Sequence, residues 1–144
     1  MNVIIIRGPC GCGKTFLRKK KYPDILCHDM DDLRQYIEGQ GITDSYENYL
    51  ARMEELHKRI LDSLTSKDVP PLTIIEGIFA PGSHSWRWLC GMLRNMAISY
   101  TWEIPEYTLA SAMQNLLNDY EKDGNIERLH ERQMLLTMYH KKFQ

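Results

Sequence analysis

No stretch of this sequence approaches the ~18 consecutive apolar residues that a membrane-spanning helix needs. The first apolar run, Val3 to Ile6, is only a strand long. The start also has neither the charged flank nor the small-residue cleavage site of a signal peptide. Cytoplasm is the expected location. Charge of one sign is not in excess either. Eighteen Lys and Arg stand against 19 Asp and Glu, so any nucleic-acid footprint must be a local patch. Cysteine is sparse: Cys10, Cys12, Cys27 and Cys90 contain no C-x-x-C and no disulfide framework. The C-x-C of Cys10 and Cys12 lacks further ligands at zinc spacing. All four read as reduced thiols, with Cys12 expected to be the oxidation-prone one because a helix N-terminus lowers thiol pKa. No repeat, linker or low-complexity segment divides the chain, and its hydrophobic content of 43% is that of a single globular domain over 1–144.

What is present is concentrated at the start. The β-branched run Asn2 to Arg7 passes directly into Gly8-Pro9-Cys10-Gly11-Cys12-Gly13-Lys14-Thr15. This is G-x-x-x-x-G-K-[ST], the phosphate-binding P-loop. Gly8 and Gly13 let the backbone turn around a polyphosphate, so that the N–H groups of Cys10, Gly11, Cys12 and Gly13 and the following helix N-terminus face the anion. Lys14 can then reach the β- and γ-phosphates, and the Thr15 hydroxyl can ligate Mg²⁺. The expected ligand is a nucleoside triphosphate, ATP with Mg²⁺.

Strand and helix patterns alternate along the chain, which predicts an α/β domain with a parallel sheet covered on both faces. Expected strands are Asn2 to Arg7, Asp24 to His28, Leu72 to Glu76 and Ala97 to Glu103. Expected helices are Lys14 to Lys21, Asp31 to Glu38, a long one starting near Thr43-Asp44, one from the Pro81-Gly82-Ser83 turn to Asn95, Thr108 to Tyr120, and Ile126 to Phe143 capped by Asn125.

A second constellation follows strand two: His28-Asp29-Met30-Asp31-Asp32-Leu33-Arg34-Gln35. The C-terminal end of a strand in such a sheet lies on the same edge as the P-loop. Asp31 and Arg34, three apart at a helix start, share a face. Asp31 could accept a hydroxyl proton while Arg34 holds the acceptor's phosphate or base. Asp31 would equally serve as an N-cap, and Arg34 could pair with Asp31 or Glu38 on a solvated face. His28 is placed to orient Asp31 or touch substrate. Glu76 closes an apolar strand at the same edge, either paired near Mg²⁺ or with Lys14, or solvated if the strand ends early. The basic run Arg18 to Lys21 complements the dipole of its own helix. Trp86-Arg87-Trp88 could stack on bases, but Trp86 shares a stripe with Leu89, Cys90 and Leu93 and reads as packing.

These segments resemble the phage-type polynucleotide 5′-hydroxyl kinases and the wider group of small P-loop kinases. The likeness rests on strand one with Gly8 to Thr15, and on Asp31-Asp32-Leu33-Arg34-Gln35-Tyr36-Ile37, with a weaker extension to Glu103-Ile104-Pro105. It implies a P-loop NTPase fold of the kinase type, a four-stranded parallel sheet in the order 2-3-1-4. It also implies Asp31 as general base, with Lys14 and Arg34 completing the catalytic set. Two departures stand out. Glu76 replaces the family's strand-three Asp, and with Thr15 it forms the expected metal site. The family's lid arginines are missing, since Ala110-Ser111-Ala112-Met113-Gln114 carries no cation; Lys122, Arg128 and Arg132 are the substitutes at hand, with Arg128 and Arg132 assigned to the nucleotide. The implied activity is ATP-dependent phosphorylation of a nucleic-acid hydroxyl, DNA ahead of RNA: a 5′-hydroxyl, or a hydroxymethylated base in phage DNA. A phage-encoded protein would act in the host cytoplasm. A nucleoside or nucleotide kinase, or a non-catalytic NTP-binding module, are the rival readings.

Overall fold

The structure is a computed structural model that describes residues 1–42 and 44–143. Four strands form one parallel sheet in the order β2-β3-β1-β4: β1 (Asn2–Arg7), β2 (Cys27–Asp29), β3 (Leu72–Gly77) and β4 (Ser99–Glu103). The two central strands are almost continuous apolar runs, as strands covered on both faces must be. Ile5, Ile6, Ile74 and Ile75 are fully buried. Side chains alternate across the sheet. Val3, Ile5 and Ile75 join Met53, Leu56, Ile60, Leu89 and Leu93 in the main core. These come from α3 (Ser45–Thr65) and α4 (His84–Asn95). Glu76 points to the opposite face, where α1 (Lys14–Lys21) lies. A smaller core of Ala112, Leu116, Leu129 and Leu136 joins α5 (Leu109–Asp123) to α6 (Ile126–Phe143). No helix among the described residues is long and apolar enough to cross a membrane.

Local chemistry sets the helix ends. Ser83 and Asn125 cap as their sequence positions predict, accepting from the N–H groups of Trp86 (3.2 Å) and Arg128 (3.0 Å). Thr108 and Ser111 form a reciprocal capping pair at the start of α5. Asp44 caps α3 through the N–H groups of Tyr46 and Glu47; Thr43, named with Asp44 as that helix's start, lies outside the described residues. Two strands begin later than expected. Asp24 and Ala97 have φ of 62° and 55°, a left-handed backbone that cannot continue a strand. Pairing therefore opens at Leu26, whose carbonyl accepts from Ile74 N–H at 2.8 Å, and at Ser99 opposite Asn2.

The helix after β2 corrects another expectation. α2 (Met30–Gly39) is capped by Asp29, which accepts from Asp31 N–H at 2.9 Å; Asp31 is inside the first turn and is not the cap. The reason is that β2 runs on through Asp29, where it pairs with Glu76, and passes straight into the helix, which starts at Met30, one residue earlier than the hydrophobic pattern suggests.

Candidate active site

The P-loop joins β1 to α1 and packs closely against α5. Gly11 has φ of 78°, and a Cβ there would stand 2.5 Å from the Ala112 carbonyl oxygen. Asn115 Nδ2 donates to the Gly11 carbonyl at 2.8 Å. Gly13, at φ 96°, is the N-cap of α1. The first bond of the helical ladder runs from Leu17 N–H to the Gly13 carbonyl (2.9 Å), so the N–H groups of Lys14, Thr15 and Phe16 lie ahead of it. Lys14 is folded back on its own loop, donating to the carbonyls of Gly8 (2.8 Å) and Pro9 (3.0 Å).

Glu76 is 3% exposed and fully engaged from α1. Thr15 Oγ1 donates to its Oε1 at 2.6 Å and Arg18 Nε to its Oε2 at 2.8 Å. This removes the solvated reading of Glu76 and replaces Lys14 with Arg18 as its cationic partner. The run Arg18 to Lys21 is also more than a helix-dipole complement, because Arg18 holds Glu76 and Lys21 bonds Glu103 at 2.6 Å. Asp29 sits beside Glu76 across the β2–β3 pair. Burial, helped by the Glu76 charge, pushes its pKa up to about 6. Thr15 and Glu76 supply hard oxygen ligands of the type Mg²⁺ takes, and Mg²⁺ is commonly held by one or two protein groups plus phosphates and water. Among the described residues no cluster of three or more His, Cys, Asp or Glu could hold a metal.

One cleft of about 1410 Å³ brings these parts together. Its wall includes Cys10, Gly11, Cys12, Gly13, Lys14 and Thr15 from the loop, Glu76 from β3, Asp31 and Arg34 from α2, and Arg128 and Arg132 from α6. Asp31 is exposed. Arg34 is loosely paired, 3.4 Å from Glu38 and 3.8 Å from Glu131. Arg128 and Arg132 are each tied to an acid of α5, Asp123 at 2.7 Å and Asp119 at 2.8 Å. Gly8 does not line the cleft; its N–H is bonded to the Ile78 carbonyl at 3.2 Å.

Three expectations fall elsewhere. His28 alternates with Asp29 and is buried under the sheet, its Nε2 without a partner among the described residues; it does not line the cleft. Trp86 is packed between the Arg7 guanidinium, 3.7 Å from the ring centre, and Trp102, while Trp88 meets His57 edge-on. Neither is a free stacking platform. Burial pushes the Cys12 thiol up rather than down, against the nearby Lys14, so it is not the activated thiol its helix position suggests. Arg18, Asn115, Asn48 and Arg52 are contributors that sequence reasoning missed. Arg18 was hidden in a basic run. The other three carry no motif, and only the packing of α3 and α5 brings them to the cleft.

No family model matches the chain, and no curated protein matches it. Solved structures do. A candidate kinase from Chloroflexus aurantiacus superposes with a TM-score of 0.67 at 13% identity, over 96% of this chain and 74% of that one. A chain of the Pnkp1/Rnl/Hen1 RNA repair complex gives 0.63 at 15% identity, over 99% of this chain but only 46% of its own length. At these identities the likeness is one of fold. With the sheet order and the loop between β1 and α1, that fold is the P-loop kinase fold.

Proposed function

We propose that this protein is an ATP- and Mg²⁺-dependent phosphotransferase acting on a hydroxyl of a nucleic acid. The observation that carries the reading is that one cleft is lined by Lys14, Thr15 and Glu76 together with Asp31 and Arg34. In this scheme the loop amides and Lys14 hold the β- and γ-phosphates. A bound Mg²⁺ would supply charge neutralisation for the phosphates. Thr15 would hold it, with Glu76, kept in place by Arg18, bonding the same hydroxyl. Asp31, at the opposite wall, takes the proton of the attacking hydroxyl, a role its exposure leaves open to a substrate. Arg34 can exchange its partners for the acceptor because its ion pairs with Glu38 and Glu131 are long, 3.4 and 3.8 Å, and solvated. Arg132 or Arg128 supplies the cation that the transferring phosphoryl group needs.

The nucleic-acid acceptor is supported by the Asp31–Arg34 motif and by the RNA repair complex among the structural neighbours. That neighbour also brings RNA level with DNA as an acceptor. The test is transfer from γ-labelled ATP, offered in parallel to 5′-hydroxyl DNA, 5′-hydroxyl RNA, hydroxymethyl-base phage DNA and free nucleosides. Label on any of the first three supports the reading. Label on nucleosides alone makes this a small-molecule kinase, and ATP binding with no transfer makes it a nucleotide-binding module.

A further inference from the structure

The wall of the cleft formed by α2 and α3 carries polar groups that the scheme above does not use. Asn48 and Arg52 lie one helical turn apart on α3, and both line the cleft with Asp31 and Arg34. Asn48 is only 9% exposed; among the described residues its Oδ1 has no partner and its Nδ2 makes one long bond, 3.4 Å to the Ile42 carbonyl. Arg52 Nε is likewise buried and, among the described residues, without a partner. An unmet buried polar group is costly to a fold. Here the cost is raised by like charge, since burial and then the Arg34 guanidinium lower the Arg52 pKa, against the pull of Asp31 and Glu38. A purely structural arginine would be expected to find a carboxylate or a carbonyl.

We propose that Arg52 forms, with Arg34, a two-guanidinium seat for a phosphate of the acceptor, and that Asn48 receives an N–H or O–H of the same nucleotide. This rests on the phosphotransferase reading and narrows it: the preferred acceptor carries a phosphodiester beside the hydroxyl that is phosphorylated. Two planar forks favour phosphate because each can donate a pair of parallel bonds to its oxygens. An acceptor oxygen next to them suits a ligand that has donors as well as negative charge, as a nucleotide does and inorganic phosphate does not. Asp31 at the same wall would meet the hydroxyl while the arginines hold the phosphate.

The experiment is calorimetric titration of the full chain, loaded with a non-hydrolysable ATP analogue and Mg²⁺, with a 5′-hydroxyl dinucleotide and with the matching free nucleoside. Wild type should bind the dinucleotide at least about tenfold more tightly, the scale of charge-assisted bonds to a phosphate. Arg52→Gln should lose about tenfold to a hundredfold in dinucleotide affinity with little change for the nucleoside. Arg52→Lys should recover part of the loss, because an ammonium keeps the charge without the fork. Unchanged binding of the ATP analogue shows that each variant is folded. If wild type has no preference for the dinucleotide, or Arg52→Gln keeps that preference, the seat is overturned while transfer to a hydroxyl still stands on its own assay. If Arg52→Gln does not fold, parity of Arg52→Lys with wild type overturns it instead. Failure of both ligands to bind, with the analogue bound, removes the nucleic-acid acceptor and the seat together.

Discussion

Asp29 and Asp31 are two residues apart, yet one strand-to-helix turn gives them opposite environments. Asp29 is the cap of α2, half-buried beside Glu76, and its pKa is pushed up to about 6 by that burial. Asp31 is exposed on the cleft wall. The substitutions Asp29→Asn and Asp31→Asn therefore separate structure from chemistry. Asn caps about as well as Asp, and it removes a charge from the neighbourhood of Glu76, so Asp29→Asn should melt at or above the wild-type temperature. Asp31→Asn should leave melting unchanged and lower phosphoryl transfer by about 10²–10⁴, the usual weight of a general base, with ATP still bound. If transfer survives Asp31→Asn and is lost in Asp29→Asn, the base is Asp29 and the role of Arg34 must be reassigned with it.

At the scale of elements, the tightest functional junction is that between the P-loop and α5. Gly11 is required there twice over, by its φ of 78° and by the Ala112 carbonyl that a Cβ would strike. Gly11→Ala should cost about 1–3 kcal/mol in stability and weaken ATP binding, because the loop can relieve the clash only by shifting its amides. Gly39→Ala is the control, since nothing lies within 4 Å of a Cβ at that position; it should be neutral or slightly stabilising. Comparable ATP affinity in the two variants would mean that α5 does not set the loop's shape. This junction also marks where the sequence stopped being legible. The loop, the strands and most caps were readable, because each is dictated by neighbours in the chain: the apolar runs, Ser83, Asn125 and the Gly-Lys-Thr spacing. Asp29 as a cap was missed because strand pairing with Glu76 overrode the local pattern. Asn115 on Gly11, and Arg18 on Glu76, are contacts over 104 and 58 residues of chain, which no periodicity encodes. The sheet order came from a family likeness alone, and the structure agrees with it.

At the scale of the molecule, the cleft joins pieces that otherwise contribute to separate cores. The P-loop and β3 belong to the sheet, Asp31 to the α2–α3 side, and Arg132 to the smaller core of α5 and α6. A ligand that touches all of them binds only the folded chain, so it stabilises by RT ln(1 + [L]/Kd), about 2.7 kcal/mol at one hundred times Kd. For a domain of this size that is a rise in Tm on the order of 5–10 °C. ATP with Mg²⁺ should produce such a shift in wild type, and ATP with EDTA a smaller one if Thr15 holds a metal that contributes to nucleotide binding. Lys14→Ala should melt near the wild-type temperature without nucleotide, because among the described residues Lys14 bonds only within its own loop, to Gly8, Pro9 and, at 4.0 Å, Cys12. It should then show little or no shift on adding ATP and Mg²⁺, having lost a phosphate-neutralising cation. A wild-type chain that ATP does not stabilise at millimolar concentration, or a Lys14→Ala variant that it stabilises equally, would remove the nucleotide site on which the whole functional reading rests.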